Sequence, residues 1–153
     1  GISKAYGMAR ANRYTGRRGP IVVMTGVGEL QEGQIWESLQ PVANEKLSDI
    51  TVIVDHNKFQ SDTAVAAVSD LGPLEDKFGA FGWEVRRGDG HDYRVIRDTL
   101  AHFETVTARP KVFIADTVKG KGVSFMENEA SWHGTPPGKD DFERAIKELE
   151  YGI

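Results

Sequence analysis

Three short runs, Ile21-Val22-Val23-Met24, Ile50-Thr51-Val52-Ile53-Val54 and Val112-Phe113-Ile114-Ala115, constrain this chain more than any other feature. Each is β-branched and continuously apolar, the pattern of a strand buried on both faces of a parallel sheet. A weaker fourth run is Trp83-Glu84-Val85. Helical patterns lie between and beyond them, at about 31–46, 73–81, 92–106 and 139–149. Another covers 3–15, with Ala5, Met8, Ala9 and Asn12 at helical spacing and Gly16 as the stop. Strand and helix therefore alternate, which predicts βαβ units. The expected fold class is α/β, a doubly wound, mostly parallel sheet with helices on both faces.

The chain has 153 residues, the length of a single domain that buries about two thirds of its unfolded surface. One domain over 1–153 is expected. Its composition is that of a soluble globular protein, and no apolar run approaches the ~20 residues that span a bilayer. A formal charge of -4, with only Arg13, Arg17 and Arg18 clustered, gives no footprint for nucleic acid. The chain has no cysteine, which removes disulfides, thiolate nucleophiles and cysteine-type zinc sites and fits a cytoplasmic protein. The first residues, Gly1 to Ala9, carry no methionine start and read as the inside of a helix. A domain lacking its N-terminal part is the expectation.

In open parallel sheets, ligands bind beyond the carboxyl ends of the strands. Three loops fall there: Gly26-Val27-Gly28, Asp55-His56-Asn57 and Lys119-Gly120-Lys121-Gly122. Gly26 and Gly28 flank a strand-to-helix turn at which backbone N–H groups can approach a phosphate. Gly-x-Gly after a strand is also an ordinary tight turn. The continuation is more specific. Glu29-Leu30-Gln31-Glu32-Gly33-Gln34-Ile35-Trp36-Glu37, then Lys46 to Gln60 and Phe125 to Pro137, closely resemble the diphosphate-binding domain of thiamine diphosphate-dependent transketolases. The stretch from Phe125 through Trp132-His133-Gly134 is most similar to the N-terminal subunit of split, two-chain transketolases.

That resemblance implies roles. Gly26, Gly28, Glu29, Asn57, Lys119 and His133 are expected around thiamine diphosphate, with the Gly28 N–H on the diphosphate. Asn57 would ligate Mg2+ or Ca2+ through its side-chain oxygen and Phe59 through its backbone carbonyl. His133 and Glu32 correspond to catalytic positions: His133 on the diphosphate or substrate, Glu32 at the subunit interface. Simpler readings stand beside these. His133 is otherwise a loop histidine, Lys119 and Lys121 solvated lysines, and Glu32 a helix-N-terminal glutamate favoured by the macrodipole. His56, His91 and His102 receive no role, and Gly88 to Asp92 reads as a turn and helix cap.

Two positions depart from the family pattern. Where the family has a metal-binding aspartate, this chain has Val27. Magnesium is usually held by one or two carboxylates plus phosphates, so losing one charge-assisted contact weakens cofactor affinity by roughly tenfold to a hundredfold. Glu29 and Asp55 are the nearby carboxylates that stand in sequence to replace it. Pro41 is the second departure. A proline inside the 31–46 helix removes one hydrogen bond and predicts a kink or two short helices.

The expected function is transfer of a two-carbon ketol unit between sugar phosphates, in a dimer-based assembly with a pyrimidine-binding C-terminal subunit or domain. The alternative is a cofactor-free pseudoenzyme or structural subunit that keeps the fold, favoured by Val27. A 2-oxoacid decarboxylase subunit is a third reading, disfavoured by the Glu29–Glu37 stretch.

Overall fold

The computed structural model describes residues 1–151. Four parallel strands form the sheet: β1 (Ile21–Gly26), β2 (Ile50–His56), β5 (Glu84–Asp89) and β6 (Lys111–Asp116). Their spatial order is β1-β2-β6-β5. Register is in step throughout, with Ile21 beside Ile50, Thr51 beside Lys111 and Glu84 beside Lys111. The three apolar runs and the weaker fourth therefore all become strands of one sheet.

The main core lies on one face. There, α1 (Ile2–Thr15), α2 (Gly33–Asn44) and α4 (Leu74–Ala80) bring Ile2, Ala5, Ile35, Leu39, Leu74 and Phe78 against Val23, Val52, Val54, Val112 and Ile114. Ridge-forming apolar side chains at helical spacing on α2 explain the choice of face. Trp36 stacks at a tilt on Phe78, with centroids 5.5 Å apart, and its indole donates to the Leu30 carbonyl at 2.7 Å. The second face carries α5 (Tyr93–Thr105), whose Phe103, Val95 and Ile96 pack on Phe113, Ala115 and Ile53. Asp92 caps α5 by accepting from the Arg94 N–H at 2.7 Å, as the 88–92 pattern predicts.

β6 is buried on both faces, but β1 is not. Val22 and Met24 are 59% and 72% exposed. The expectation of two-sided burial is therefore corrected for β1. It is an edge strand, and the α5 contacts on this face reach Ile53 of β2, Phe113 and Ala115. Its continuous apolar run alone does not distinguish an edge strand from an interior one.

α2 runs unbroken from Gly33 to Asn44 with Pro41 inside it. The expected division into two short helices does not occur. The helix begins two residues later than its periodicity indicated, after a 3-10 turn at Gly28–Gln31, and its C-terminus closes with Glu45 donating to the Pro41 carbonyl at 3.0 Å. The segment 58–73 contains a two-residue hairpin, β3 (Phe59–Gln60) with β4 (Thr63–Ala64), and a single-turn helix, α3 (Val65–Val68). No described helix is long and apolar enough to cross a membrane.

Candidate cofactor site at the carboxyl edge of the sheet

β1, β2 and β6 end at the same edge of the sheet, and the loops that leave them meet there. A cavity of about 380 Å3 opens between them, lined by Gly26, Gly28, Glu29, Glu32, Asn57, Phe59, Gln60, Ser61, Lys119 and His133. Every site residue expected from the sequence is on this wall. Gln60 and Ser61 are the additions. Gln60 stood within the motif without a role, whereas Ser61 is brought in by its left-handed backbone (φ 51) at the tip of the β3–β4 hairpin.

The first wall is the turn after β1. Val27 donates its N–H to the Asp55 carbonyl at 3.0 Å, continuing the β1–β2 pairing by one residue. Gly28 then begins the 3-10 turn. A Cβ at Gly28 would lie 2.9 Å from Gln60 Cβ and Cγ, so only glycine permits this approach of the turn to the hairpin. The second wall is the loop after β2. Asn57 accepts the Phe59 N–H at 2.9 Å through its side-chain oxygen and donates from its amide nitrogen to Asp55 at 2.8 Å. Asp55 also accepts the Thr117 hydroxyl, which ties this loop to the end of β6.

The third wall is the long loop from Thr117 to Gly138. Gly120 has φ 74, and a Cβ there would be driven onto the Met126 carbonyl. Asn128 donates its N–H to the Lys119 carbonyl at 2.9 Å, which closes the loop on itself. Trp132 anchors the far end, donating from its indole to the Phe125 carbonyl at 3.1 Å and meeting the Phe125 ring edge-on at 5.6 Å. His133 follows this anchor, and Lys119 Nζ comes within 3.4 Å of its Nδ1. An ammonium and an imidazole separated by 14 residues thus share one side of the cavity.

Charged groups next to the cavity are held by partners. Arg87 clasps Asp116 through Nε (2.8 Å) and Nη2 (2.9 Å), and His56 Nδ1 sits 2.7 Å from the same carboxylate. The Arg87 guanidinium holds the Asp116 carboxyl below its ordinary range, against the opposing effect of burial. His91 accepts the Val118 N–H at 2.8 Å, a structural tie between the β5 and β6 loops. Glu29 accepts the Thr25 hydroxyl at 2.8 Å and Glu32 accepts from the Gln34 amide at 2.8 Å.

The likeness to known proteins follows this geometry. Residues 1–152 match the family described as transketolase, thiamine diphosphate binding domain. This chain belongs to the transketolase thiamine diphosphate-binding family. It is 39% identical over 150 residues to one of the subunits of the apulose-4-phosphate transketolase of Actinobacillus succinogenes, covering 98% of this chain and 54% of that protein. It is 35% identical to the 6-deoxy-6-sulfo-D-fructose transketolase subunit SqwG of a Clostridium species, over 98% of this chain and 54% of the relative. The chain thus spans about half the length of the curated relatives it matches. Transketolase from Campylobacter jejuni superposes with a TM-score of 0.90 at 28% identity, covering 97% of this chain and 24% of that one.

The transketolase diphosphate end fits this wall on two observations. Lys119 presents an ammonium on this wall beside His133, and Gln60 on the same wall carries a buried Oε1 with no hydrogen-bond partner among the described residues. The family's metal fits less well. Val27 is 2% exposed and sits in the apolar core cluster that also holds Leu30, Val65 and Leu74. It lines a different cavity, beside His56, Val65 and Leu71. Asp55 is not on the wall of the Asn57 cavity, whereas Glu29 is. Among the described residues, no three His, Asp or Glu side chains converge to hold a metal.

Proposed function

We propose that this chain is the diphosphate-binding part of a transketolase that transfers a two-carbon ketol unit between sugar phosphates, completed by a pyrimidine-binding C-terminal subunit or domain in a dimer-based assembly. The observation that supports it most is the single cavity joining Gly28, Asn57, Phe59, Lys119 and His133 at the carboxyl edge of the sheet. Thiamine diphosphate, when bound, supplies the electron sink needed to break and remake the carbon–carbon bond. The chain's own residues bind and orient. The Gly28 N–H and Lys119 hold the diphosphate, while His133 reaches either the diphosphate or the sugar. Glu32, exposed at the start of α2, is available to a neighbouring protomer across the mouth of the cavity. Asn57 and Phe59 offer an amide and a carbonyl oxygen to Mg2+ or Ca2+ if either ion accompanies the cofactor.

The two relatives are named for a sugar phosphate and a sulfo-sugar, so an anionic ketose is the donor class that fits. The protein combined with a pyrimidine-binding partner and thiamine diphosphate should convert ketose phosphates plus an aldose acceptor, and should leave pyruvate-like donors untouched. Turnover of pyruvate-like donors alone would sink this assignment in favour of a decarboxylase.

One observation favours a second reading, a cofactor-free subunit that keeps the fold and its partner surface. Val27 has joined the apolar core in place of a metal-binding carboxylate. In that case the assembled protein binds no thiamine diphosphate under any metal condition.

A further inference from the structure

We propose that this chain holds its diphosphate ligand without a divalent cation, the charge being met by Lys119 and phosphate oxygens by the imidazole N–H of His133 and the side-chain amide of Gln60. The proposal rests on the reading of the cavity as a thiamine diphosphate site. It starts from what position 27 has become. The Val27 side chain is buried among apolar neighbours and lines the cavity beside His56 rather than the one beside Asn57. A small dication wants near-octahedral oxygen ligation anchored by carboxylates. The two remaining family donors, Asn57 and Phe59, are both neutral.

The carboxylates within reach are engaged elsewhere or directed to neutral donors. Asp55 accepts from Asn57 and Thr117. Glu29 accepts from Thr25, and Glu32 from Gln34. Glu29 and Glu32 do line the cavity, so an anion entering it needs cationic compensation on the same wall.

Lys119 is that compensation, with the His133 imidazole beside it as an N–H donor, and both stand on braced backbone. The Lys119 backbone is fixed by the hydrogen bond from Asn128 and by Gly120, whose φ of 74 sets the turn. Trp132, bonded to the Phe125 carbonyl, fixes the residue before His133. An ammonium binds phosphate as a point charge without needing a metal bridge. Gln60 supplies the third element. Its buried Oε1 lacks a partner among the described residues, and its side chain packs against Gly28 at the turn. Gln60 lines the cavity, so a turn of its side chain that brings the terminal amide to the wall presents N–H donors to a phosphate oxygen. A cation ligand would need the opposite orientation, so the two possibilities predict opposite effects of charge at position 60.

The test is calorimetric titration of the full chain with thiamine diphosphate and, separately, with inorganic pyrophosphate, each in excess chelator and in excess Mg2+ or Ca2+. Pyrophosphate reads the diphosphate subsite without the partner. Affinity should change by less than about threefold between chelator and metal. In chelator, Lys119→Met should weaken pyrophosphate binding by about tenfold or more, Lys119→Arg should retain most of it, and Gln60→Glu should weaken it by a similar factor. Binding that needs the metal, or that Gln60→Glu strengthens in Mg2+, would overturn the proposal while leaving the cofactor reading intact. If only Val27→Asp with Mg2+ binds, the proposal fails and the cofactor-free reading stands. Silence from the native chain and from Val27→Asp towards pyrophosphate, in chelator and in metal alike, would remove the proposal, and the same silence towards thiamine diphosphate from the protein assembled with its partner would remove the thiamine diphosphate assignment as well.

Discussion

Two glycines at and beside the site, Gly26 and Gly120, differ in what a side chain would meet there. Gly120 has φ 74, where an L side chain is strained, and its Cβ would meet the Met126 carbonyl. Gly120→Ala should therefore lower stability by about 1–3 kcal/mol and displace Lys119, with a fall in melting temperature and a weaker pyrophosphate titration together. Gly26 lines the cavity, yet a Cβ there meets nothing within 4 Å. Gly26→Ala should stay within about 0.5 kcal/mol of the native stability, so a melting curve that drops by several degrees would contradict the open placement of this position. The motif around these glycines was legible in the sequence, down to Asn57 and His133. What the sequence did not reveal was which way Val27 turns, because a substituted side chain in a tight turn follows whichever wall is apolar. Here that wall includes Val65 and Leu74, from segments far along the chain.

At the scale of elements, period and composition determined most of what formed. The apolar runs gave the strands, and Asp92 gave the cap of α5. The β3–β4 hairpin escaped because Ser61 in its turn (φ 51), and Lys58 just before β3 (φ 69), take left-handed conformations that ordinarily announce themselves by glycine or asparagine. The exposure of β1 escaped because an edge strand is defined by its neighbours and not by its own residues. α2 shows a local rule tolerated by context. Pro41 removes the N–H that would have reached the Glu37 carbonyl, but the helix is fastened on both sides by buried Leu39 and Val42 and by the Trp83 indole donating to the Leu39 carbonyl at 3.2 Å. Burial of this face outweighs a single missing bond. Pro41→Ala should therefore raise stability, by about 1–3 kcal/mol, since the ring's interference with the preceding turn is relieved while the buried face is untouched. An unchanged or lower denaturation midpoint would mean that Pro41 itself contributes packing at the α1–α2 contact.

Across the whole molecule, one charged network joins elements that are remote in sequence. Arg87 on β5 binds Asp116 on β6 and, through Nη1 at 3.1 Å, Glu75 on α4, while His56 on β2 faces Asp116 from the other side. Only the strand order β2-β6-β5 brings these four together, so nothing in their spacing of 12 to 60 residues announces the network. It fastens α4 to the sheet edge next to the cavity. The Arg87 hydrogen bonds lower the Asp116 carboxyl below its unfolded value, with His56 adding to the effect and burial opposing it. A carboxyl depressed on folding contributes stability that is fully present above its unfolded pKa of about 4 and is lost as pH falls through the lower folded value. The native chain should accordingly lose stability on acidification from about pH 4 downward. Asp116→Asn should be less stable than the native chain at about pH 7 and should show a shallower acid dependence below about pH 4, because the neutral amide has no proton to take up. The pair stands partly open to solvent, at 35% and 39% exposure, so its contribution is screened. Parallel urea titrations at about pH 7 and about pH 3 measure the difference. If Asp116→Asn and the native chain lose the same stability between those two pH values, the acid lability of the fold lies in other carboxylates and the network is a positional tie rather than an energetic one.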